Sequence, residues 1–299
     1  STGEGDANVQ AMNFRTALSS DPDNRLPPER PEGYDRDRIR ELLVRLEVNL
    51  PDRRKNGGEF PNRKSDWNRP QLIEGATNYV HADWTGRRKI LTEFWSIVRG
   101  MLYYFQTDPE APERSRECFA EWGLAQDEFA DNGHMPWEIY VREARRLIGR
   151  HVITQQDVRP ADGIERAPIH MDSIAVCEWY LDSHACHAER VERVPNCRDE
   201  GKVMLHHQTV PGQISYRSLL PNELDNLLVP VCLSSSHLGQ SAVRLEPTWM
   251  QIAESAGDAA VQAIRTERSP AEVDVDKLQA ILFERRSMLT FFNDVPTDG

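Results

Sequence analysis

The fold of this chain is decided by residues 213–263, which read QISYRSLLPNELDNLLVPVCLSSSHLGQSAVRLEPTWMQIAESAGDAAVQA. Residues 226–231 form a short apolar run between turn-forming residues, which predicts a buried strand. A loop of small polar residues follows, and Pro247 then begins a segment that predicts a helix. This order would present free backbone N–H groups and the positive end of a helix dipole to an electron-rich ligand. A packed βα unit without a ligand fits the spacing equally well.

The predicted helix carries a row of small side chains. Ala253, Ala256, Gly257 and Ala260 recur at spacings of three and four, so they share one side of the helix. A smooth side of this kind lets a helix backbone lie close to a sheet or a ligand.

The stretch resembles the C-terminal flavin-binding segment of the bacterial FAD-dependent oxidoreductases, which have a glutathione-reductase-like fold. The matching parts are YRSLLP at 216–221, DNLLV at 225–229, CLSSSH at 232–237 and RLEPTWM at 244–250. The resemblance continues upstream in GEFPNRKSDWNRPQL at 58–72, RRKILTEFWSIVRGMLYYFQ at 87–106 and IYVREARRLIG at 139–149. One departure is Ala253, where Gly is expected in many relatives.

The resemblance implies FAD as the cofactor and hydride transfer as the chemistry. A flavin carries out the redox step itself, and the protein positions the substrate and supplies a base for the hydroxyl proton. His237 lies in the loop before the predicted flavin-facing helix, and His184 follows a predicted strand. Both are candidate proton acceptors. The residues assigned to the flavin are Ser236, Arg244, Glu246, Pro247, Met250 and Gln251.

A polar loop at residues 55–78 is the candidate substrate site. An ordered loop of this composition suits a sugar-like ligand, because Trp faces stack on sugar C–H surfaces while amides and Arg bind hydroxyls. The residues assigned to the substrate are Arg63, Trp67, Asn68, Arg69, Tyr216 and Arg217. The alternative is an exposed loop whose polar side chains satisfy its own backbone.

The glycine turn that anchors a dinucleotide is missing. No GxGxxG motif occurs in the sequence, although FAD proteins of this fold hold the pyrophosphate with one. The resemblance therefore implies a partner, an N-terminal FAD-binding segment that is either covalently joined or supplied in trans. The chain would then be a fragment, a processed piece or a natural subunit.

Two other classes of function stay open. One is a non-redox carbohydrate-binding or hydrolytic protein on the same scaffold. A triad of Asp182, His184 and either Ser173 or Ser183 can be written, but no GxSxG nucleophile elbow accompanies it. The other is a structural subunit that docks on an FAD-binding chain.

The predicted fold class is α/β or α+β. Residues 1–210 are predicted to form a mixed-sheet substrate domain with a helical insertion at about 84–125. Residues 211–265 would supply the last strand–helix unit of a Rossmann-like FAD-binding domain, and 266–299 a final helix and tail. Helices are predicted at 35–50, 84–106, 111–122, from 247 and from 270, and strands at 9–18, 174–180, 203–207 and 214–217. Residues 139–148 could form a helix on pattern alone, whereas the resemblance favours a strand.

Composition restricts the partners. A net charge of −12 disfavours nucleic acid and anionic membranes, and no apolar run approaches the roughly 20 residues of a membrane helix. No metal is predicted, since His184, Cys186, His187, His206 and His207 match no standard zinc spacing. The five cysteines indicate the compartment only weakly. The cytoplasm is favoured, and export stays open because the upstream sequence is absent.

Overall fold

A computed structural model describes residues 5, 7–45, 50–51, 54–55, 58–73, 75–187 and 200–292. The chain divides into two compact units. The N-terminal unit is Ser1–Val141 with Ala185–Val191, and the C-terminal unit is Arg142–His184 with Glu192–Gly299. This division differs from the predicted boundary near residue 210, because the segment after Arg142 pairs with later parts of the chain. Residues 46–49 of the predicted first helix lie outside the described residues, and so does Cys197.

The N-terminal unit has a three-stranded antiparallel sheet flanked by helices. Its elements are β1 (Thr16–Ser19), α1 (Arg36–Arg45), β2 (Arg54–Lys55), β3 (Gly58–Glu59), β4 (Lys64–Trp67), α2 (Gly75–His81), α3 (Trp84–Thr107), α4 (Glu113–Phe119) and β5 (Gly123–Leu124). The strand order is β4-β1-β5, and β2 pairs with β3. The strand predicted at 9–18 is thus confined to β1, with single bridges at Met12 and Asn13.

The long helix predicted at 84–106 is confirmed as α3. Asp83 caps it by accepting a hydrogen bond from the Gly86 N–H. The predicted apolar face is buried at Phe94, Val98 and Met101, so its side chains form core, as 3.6-residue periodicity requires. The second helix, predicted at 111–122, is shorter in the structure, where it consists of α4 (Glu113–Phe119).

The C-terminal unit consists of two strand pairs and three helices among its described residues. Its elements are β6 (Ser173–Cys177), β7 (Leu181–Ser183), β8 (Val203–Leu205), β9 (Gly212–Ser215), α5 (His237–Val243), α6 (Glu246–Thr266) and α7 (Val275–Glu284). β6 pairs with β9 and β7 with β8, both antiparallel. Helix α6 packs on β6, where the Ser255 hydroxyl donates to the Ile174 carbonyl at 2.8 Å. The fold is therefore mixed α/β, as predicted, but its sheets are small and antiparallel rather than mixed.

The buried strand predicted at 226–231 is wrong. These residues form an irregular surface segment in which Leu227 and Val231 are more than 40% exposed. The only backbone bond recorded there joins the Val229 N–H to the Leu219 carbonyl, so no ladder forms in the described residues. Apolar composition alone does not make a strand, because a strand also needs a partner to satisfy its backbone.

Two further predictions are corrected. Residues 139–148 are neither strand nor helix, and only single bridges at Tyr140 and Gly149 occur at either end. The last helix begins at Val275 rather than Pro270, because Pro270 begins a separate 3₁₀ turn and Asp274 caps α7. No described helix is both long and apolar enough to cross a membrane, and the described cysteines are free thiols.

Candidate functional site

Helix α5 occupies the place where the sequence predicted a loop of small polar residues. Ser236 is its N-cap, and its hydroxyl accepts the Gly239 N–H at 3.0 Å. Gly239 is required here, since a Cβ at this position would collide with the Ile153 carbonyl oxygen. With Ser236 as the N-cap, His237 is the first residue of α5.

His237 connects two polar partners in the C-terminal unit. Its Nδ1 lies 2.9 Å from Glu143 Oε1, and its Nε2 lies 2.9 Å from the Ser183 hydroxyl. Glu143 is buried and also pairs with Arg146, whereas about a third of the His237 side chain is exposed (34%). A carboxylate on one ring nitrogen fixes the ring orientation and stabilises an imidazolium.

Hydrogen-bond accounting indicates how this histidine handles a proton. The Ser183 hydroxyl also lies 2.7 Å from the Gly201 carbonyl, which can only accept. While Ser183 donates to Gly201, the His237 Nε2 must itself donate to Ser183. When Nε2 loses its proton, the hydroxyl can rotate and donate to it instead. The arrangement therefore accommodates His237 both with and without a proton at Nε2.

His184, the second predicted proton acceptor, lies immediately after β7. Its Nε2 is 3.4 Å from Asp182 Oδ1, and Asp182 Oδ2 accepts from Arg244 Nη2 at 2.8 Å. Burial is the main reason that the pKa of His184 falls to about 4, with Arg142 and Arg244 adding to the effect and Asp182 opposing it. Of the two histidines, the more exposed His237 is better placed to exchange a proton with a substrate.

The depressed pKa of His184 predicts acid sensitivity. The unfolded value is 6.5 and the folded value about 4, so the unfolded chain binds more protons between these pH values. The contribution of neutral His184 to the free energy of unfolding is about 3 kcal/mol. It is fully present above the unfolded pKa and is lost as the pH falls through the folded pKa. Urea unfolding from pH 7 to pH 4 should show this loss in the wild type and a smaller loss in His184→Gln. An equal loss of unfolding free energy with falling pH in the wild type and in His184→Gln would contradict the prediction. The control is His207→Gln, which replaces an exposed histidine.

The predicted flavin residues on α6 lie at its first turns. Glu246 and Pro247 are exposed, and Leu245 at the N-cap makes no side-chain cap bond. Met250 is 72% exposed, and the Gln251 side chain donates to the Met288 carbonyl at 2.6 Å. Helix α6 therefore begins at Glu246, one residue before the predicted start at Pro247, and its N-terminal end is accessible.

The row of small residues divides between two sides of α6. Ala256 is buried in the core of the C-terminal unit, whereas Ala253 and Gly257 are exposed. A Cβ added at Gly257 meets no atom within 4 Å. The side free to receive a ligand or partner is therefore that of Ala253 and Gly257, not that of Ala256.

Arg244, Tyr216 and Arg217 have partners of their own. Buried Arg244 binds Asp182. The Tyr216 hydroxyl is in the core and donates to the Pro270 carbonyl at 2.7 Å, and burial raises its pKa. Arg217 pairs with Asp172 at 2.9 Å and keeps about half of its side chain exposed. Among these three, only Arg217 presents accessible surface for a substrate.

The substrate residues predicted at 63–69 lie in the N-terminal unit. Trp67 is buried in β4 and packs edge-on against Phe119, with ring centroids 5.3 Å apart. Its assignment as a sugar-stacking residue is corrected, because strand alternation points it into the core. Arg63 is exposed, whereas the Arg69 guanidinium donates to Asn68 Oδ1 at 3.1 Å.

The sequence did not predict Glu143 as a partner of His237. One feature could have indicated it, because residues 142–146 are unusually charged for the strand predicted there. A buried carboxylate needs compensating partners, and Arg146 and His237 supply them.

A histidine oriented by a buried carboxylate, with part of its ring exposed, has the geometry that a general base requires. The family described as FAD dependent oxidoreductase matches residues 2–282, and the chain belongs to that family. Its cofactor is accordingly FAD. No curated protein and no solved structure showed a match.

The residues present fit one end of this cofactor. The Trp249 indole N–H, in the first turn of α6, is buried and has no hydrogen-bond acceptor among the described residues. This donor and the uncapped helix end suit the oxygen and nitrogen acceptors of a flavin ring. The pyrophosphate has no corresponding glycine turn in the sequence.

Proposed function

We propose that this chain is the C-terminal part of an FAD-dependent oxidoreductase that removes a hydride and a proton from a hydroxylated small molecule. The observation that carries the proposal is His237, fixed between Glu143 and Ser183 with part of its ring exposed. Bound FAD supplies the hydride acceptor.

In this proposal the chain's own residues handle the hydroxyl proton. His237 accepts it at Nε2, and Glu143 holds the ring by Nδ1 and stabilises the charge that develops. When Nε2 takes up the proton, Ser183 changes its acceptor from His237 to Gly201, so that the Nε2–H can donate to the hydroxyl oxygen. Arg146 pairs with the Glu143 carboxylate inside the protein.

A carbohydrate-like substrate is the finer part of the proposal. Its support in the unit that holds His237 is Arg217, which keeps about half of its side chain exposed. Guanidinium and amide groups donate to hydroxyl oxygens. Trp67 has no part in this recognition, because it is core.

The contacts among Ser183, His237 and Glu143 also favour a hydrolase as the second candidate. Two facts weigh against it: Ser183 is fully buried, and its hydroxyl is within hydrogen-bond distance of Gly201. A nucleophile must reach a substrate carbonyl. Labelling of Ser183 by a fluorophosphonate, with ester hydrolysis in the absence of FAD, would favour the hydrolase.

The proposal includes an FAD-binding segment with a glycine turn as partner. Helix α6 exposes Met250, Ala253, Gly257, Val261 and Ile264. Their spacings of three and four place them on one side of the helix. An exposed apolar side of this length is suited to a protein interface, and the small residues at its centre permit close backbone packing. We assign this side to the FAD-binding segment.

The chain by itself is expected to bind FAD only weakly. Titration of the 299-residue chain with FAD, followed by flavin fluorescence, should show no stoichiometric complex, because the pyrophosphate lacks its anchor and a charge of −12 repels anions. Adding an FAD-binding segment from the same family should give a stoichiometric yellow complex. Stoichiometric, submicromolar binding by the chain alone would contradict this division of roles.

Two variants locate the interface in the same experiment. Gly257→Leu should abolish complex formation by filling the exposed side of α6, without affecting the fold, since its Cβ meets open space. Lys277→Leu, an exposed substitution on α7, is the matched control. Equal flavin retention by both variants would remove α6 from the interface.

Anaerobic bleaching of the complex by a panel of polyols then tests the substrate class.

A further inference from the structure

Three potential metal ligands come together in the C-terminal unit, apart from the histidines considered above. The ligand atoms of His151, Asp157 and His170 all lie within 4.8 Å of one another. Asp157 Oδ1 is 2.8 Å from His170 Nε2 and 3.7 Å from His151 Nε2. The two imidazole rings meet at an angle of 63° with centroids 4.8 Å apart. One point between them is therefore accessible to all three ligands.

The fold holds each ligand by its backbone. Asp157 lies in a 3₁₀ turn, Gln155–Val158, that packs tightly on β9: a Cβ at Gly212 would collide with the Asp157 carbonyl. The His170 N–H donates to Gln213 Oε1 on β9 at 2.6 Å. His151 lies two residues before Ile153, whose N–H donates to Ser234 at 3.0 Å. The cluster therefore rests on the core of one unit.

The two oxygens of the Asp157 carboxylate have different partners. Oδ2 accepts from the Thr154 N–H at 2.7 Å and lies 3.0 Å from the Thr154 hydroxyl. Oδ1 faces the two imidazoles. Outer partners of this kind orient carboxylate ligands in metal sites.

His151 Nε2 is the atom that lacks a partner. It is buried and has no hydrogen bond within the described part of the chain, because 3.7 Å to Asp157 is too long for one. A buried nitrogen without a partner costs free energy. A metal ion bonded to this nitrogen would remove that cost.

We propose that His151, Asp157 and His170 bind a divalent first-row transition cation of the Zn²⁺ type. Two imidazoles and one carboxylate suit Zn²⁺, Fe²⁺ or Co²⁺. Mg²⁺ and Ca²⁺ are disfavoured, because they prefer oxygen ligands. Three protein ligands leave at least one coordination position for water or a substrate oxygen.

Two of the three ligand distances need changes below about 1 Å for binding, and the two imidazole nitrogens, which lie within 4.8 Å of each other, must approach by up to about 1.5 Å. Zn–N and Zn–O bonds of about 2.0–2.2 Å place tetrahedral ligand atoms about 3.3–3.6 Å apart. The Asp157–His170 distance must open from 2.8 Å and the Asp157–His151 distance must close from 3.7 Å. Side-chain rotations supply shifts of this size.

The competing account is a proton-sharing cluster without metal. Burial opposes ionisation of Asp157, but the adjacent imidazoles and the Thr154 N–H lower its pKa well below the usual range. Asp157 is therefore a carboxylate near neutral pH under either account. The two accounts differ in whether a cation binds saturably.

Titration of the untagged 299-residue chain, stripped with a chelator, tests the site. Calorimetry with Zn²⁺ should give one saturable site per chain. Co²⁺ should give the visible ligand-field bands of a site with nitrogen and oxygen ligands, and Zn²⁺ should displace them. Zn²⁺ should also raise the Tm, because it binds the folded state.

Variants distinguish this site from others on the chain. His151→Ala and Asp157→Asn should each lower the Zn²⁺ affinity by about 100-fold or more, and Thr154→Val by about 10–100-fold through loss of the outer hydrogen bond. His207→Ala, with an exposed histidine in the same unit, should bind as the wild type does. Circular dichroism in EDTA checks that each variant is folded.

Two outcomes would overturn the proposal. One is weak binding at several sites with no Co²⁺ ligand-field bands. The other is a single site whose affinity is unchanged in both His151→Ala and Asp157→Asn. If Asp157→Asn does not fold, His151→Ala decides alone, because the His151 ring makes no hydrogen bond at Nε2 that the fold would lose. Because the test needs no flavin, its failure leaves the proposed redox function unaffected.

Discussion

Replacing His237 with Gln is expected to lower the turnover of the FAD-loaded enzyme by about 10²–10⁴-fold. Gln keeps a polar side chain beside Glu143 and Ser183, but it cannot accept a proton. The acid limb of the rate–pH profile should therefore flatten. Steady-state rates across pH 5–9, with flavin content measured for each sample, provide the test.

Two further variants interpret this loss. Glu143→Gln keeps the shape of the buried partner but removes its charge, so the rate should fall while flavin content stays the same. His207→Gln changes an exposed histidine of the same unit and should leave the profile unaltered. A His237→Gln enzyme with the wild-type rate and acid limb would show that this histidine is not the base.

Replacing Asp182 with Ala should cost about 3–5 kcal/mol of unfolding free energy, because it removes the carboxylate that pairs with the buried Arg244 guanidinium. Arg244 is only 2% exposed, and its Nη2 lies 2.8 Å from Asp182 Oδ2. Burial opposes ionisation of Asp182, but His184 and Arg244 lower its pKa to about 2. Urea unfolding at pH 7 measures the change.

The matched controls are a double variant and a surface pair. Asp182→Leu combined with Arg244→Met removes both charges and should recover most of the loss. Lys277→Ala breaks the exposed pair with Asp274 and should cost about 0–1 kcal/mol. A single Asp182→Ala variant as stable as Lys277→Ala would show that the ion pair does not hold the fold.

The two long helices and the family could be predicted from the sequence. The apolar period of α3 and the proline at the start of α6 identify both helices, because helix hydrogen bonds join residues four apart and their pattern is local. The sequence motifs in residues 213–263 indicated the family and hence the cofactor. His237 could be selected as a candidate base, because it lies in one of those motifs.

Strand pairing and the partners of the site residues were decided only by the tertiary structure. Residues 226–231 have the composition of a strand and lie on the surface, since a strand exists only where another segment supplies its hydrogen bonds. The contact between Glu143 and His237 joins positions 94 residues apart, which no local spacing encodes.

The same reason explains Trp67 and the proposed metal ligands. The pairing of β4 with β1 decides which face Trp67 occupies, and it turns a candidate ligand-binding ring into core. His151, Asp157 and His170 meet because the turn at Gln155–Val158 packs on β9. Local periodicity was readable from the sequence, whereas side chains brought together by long-range packing could be found only in the folded chain.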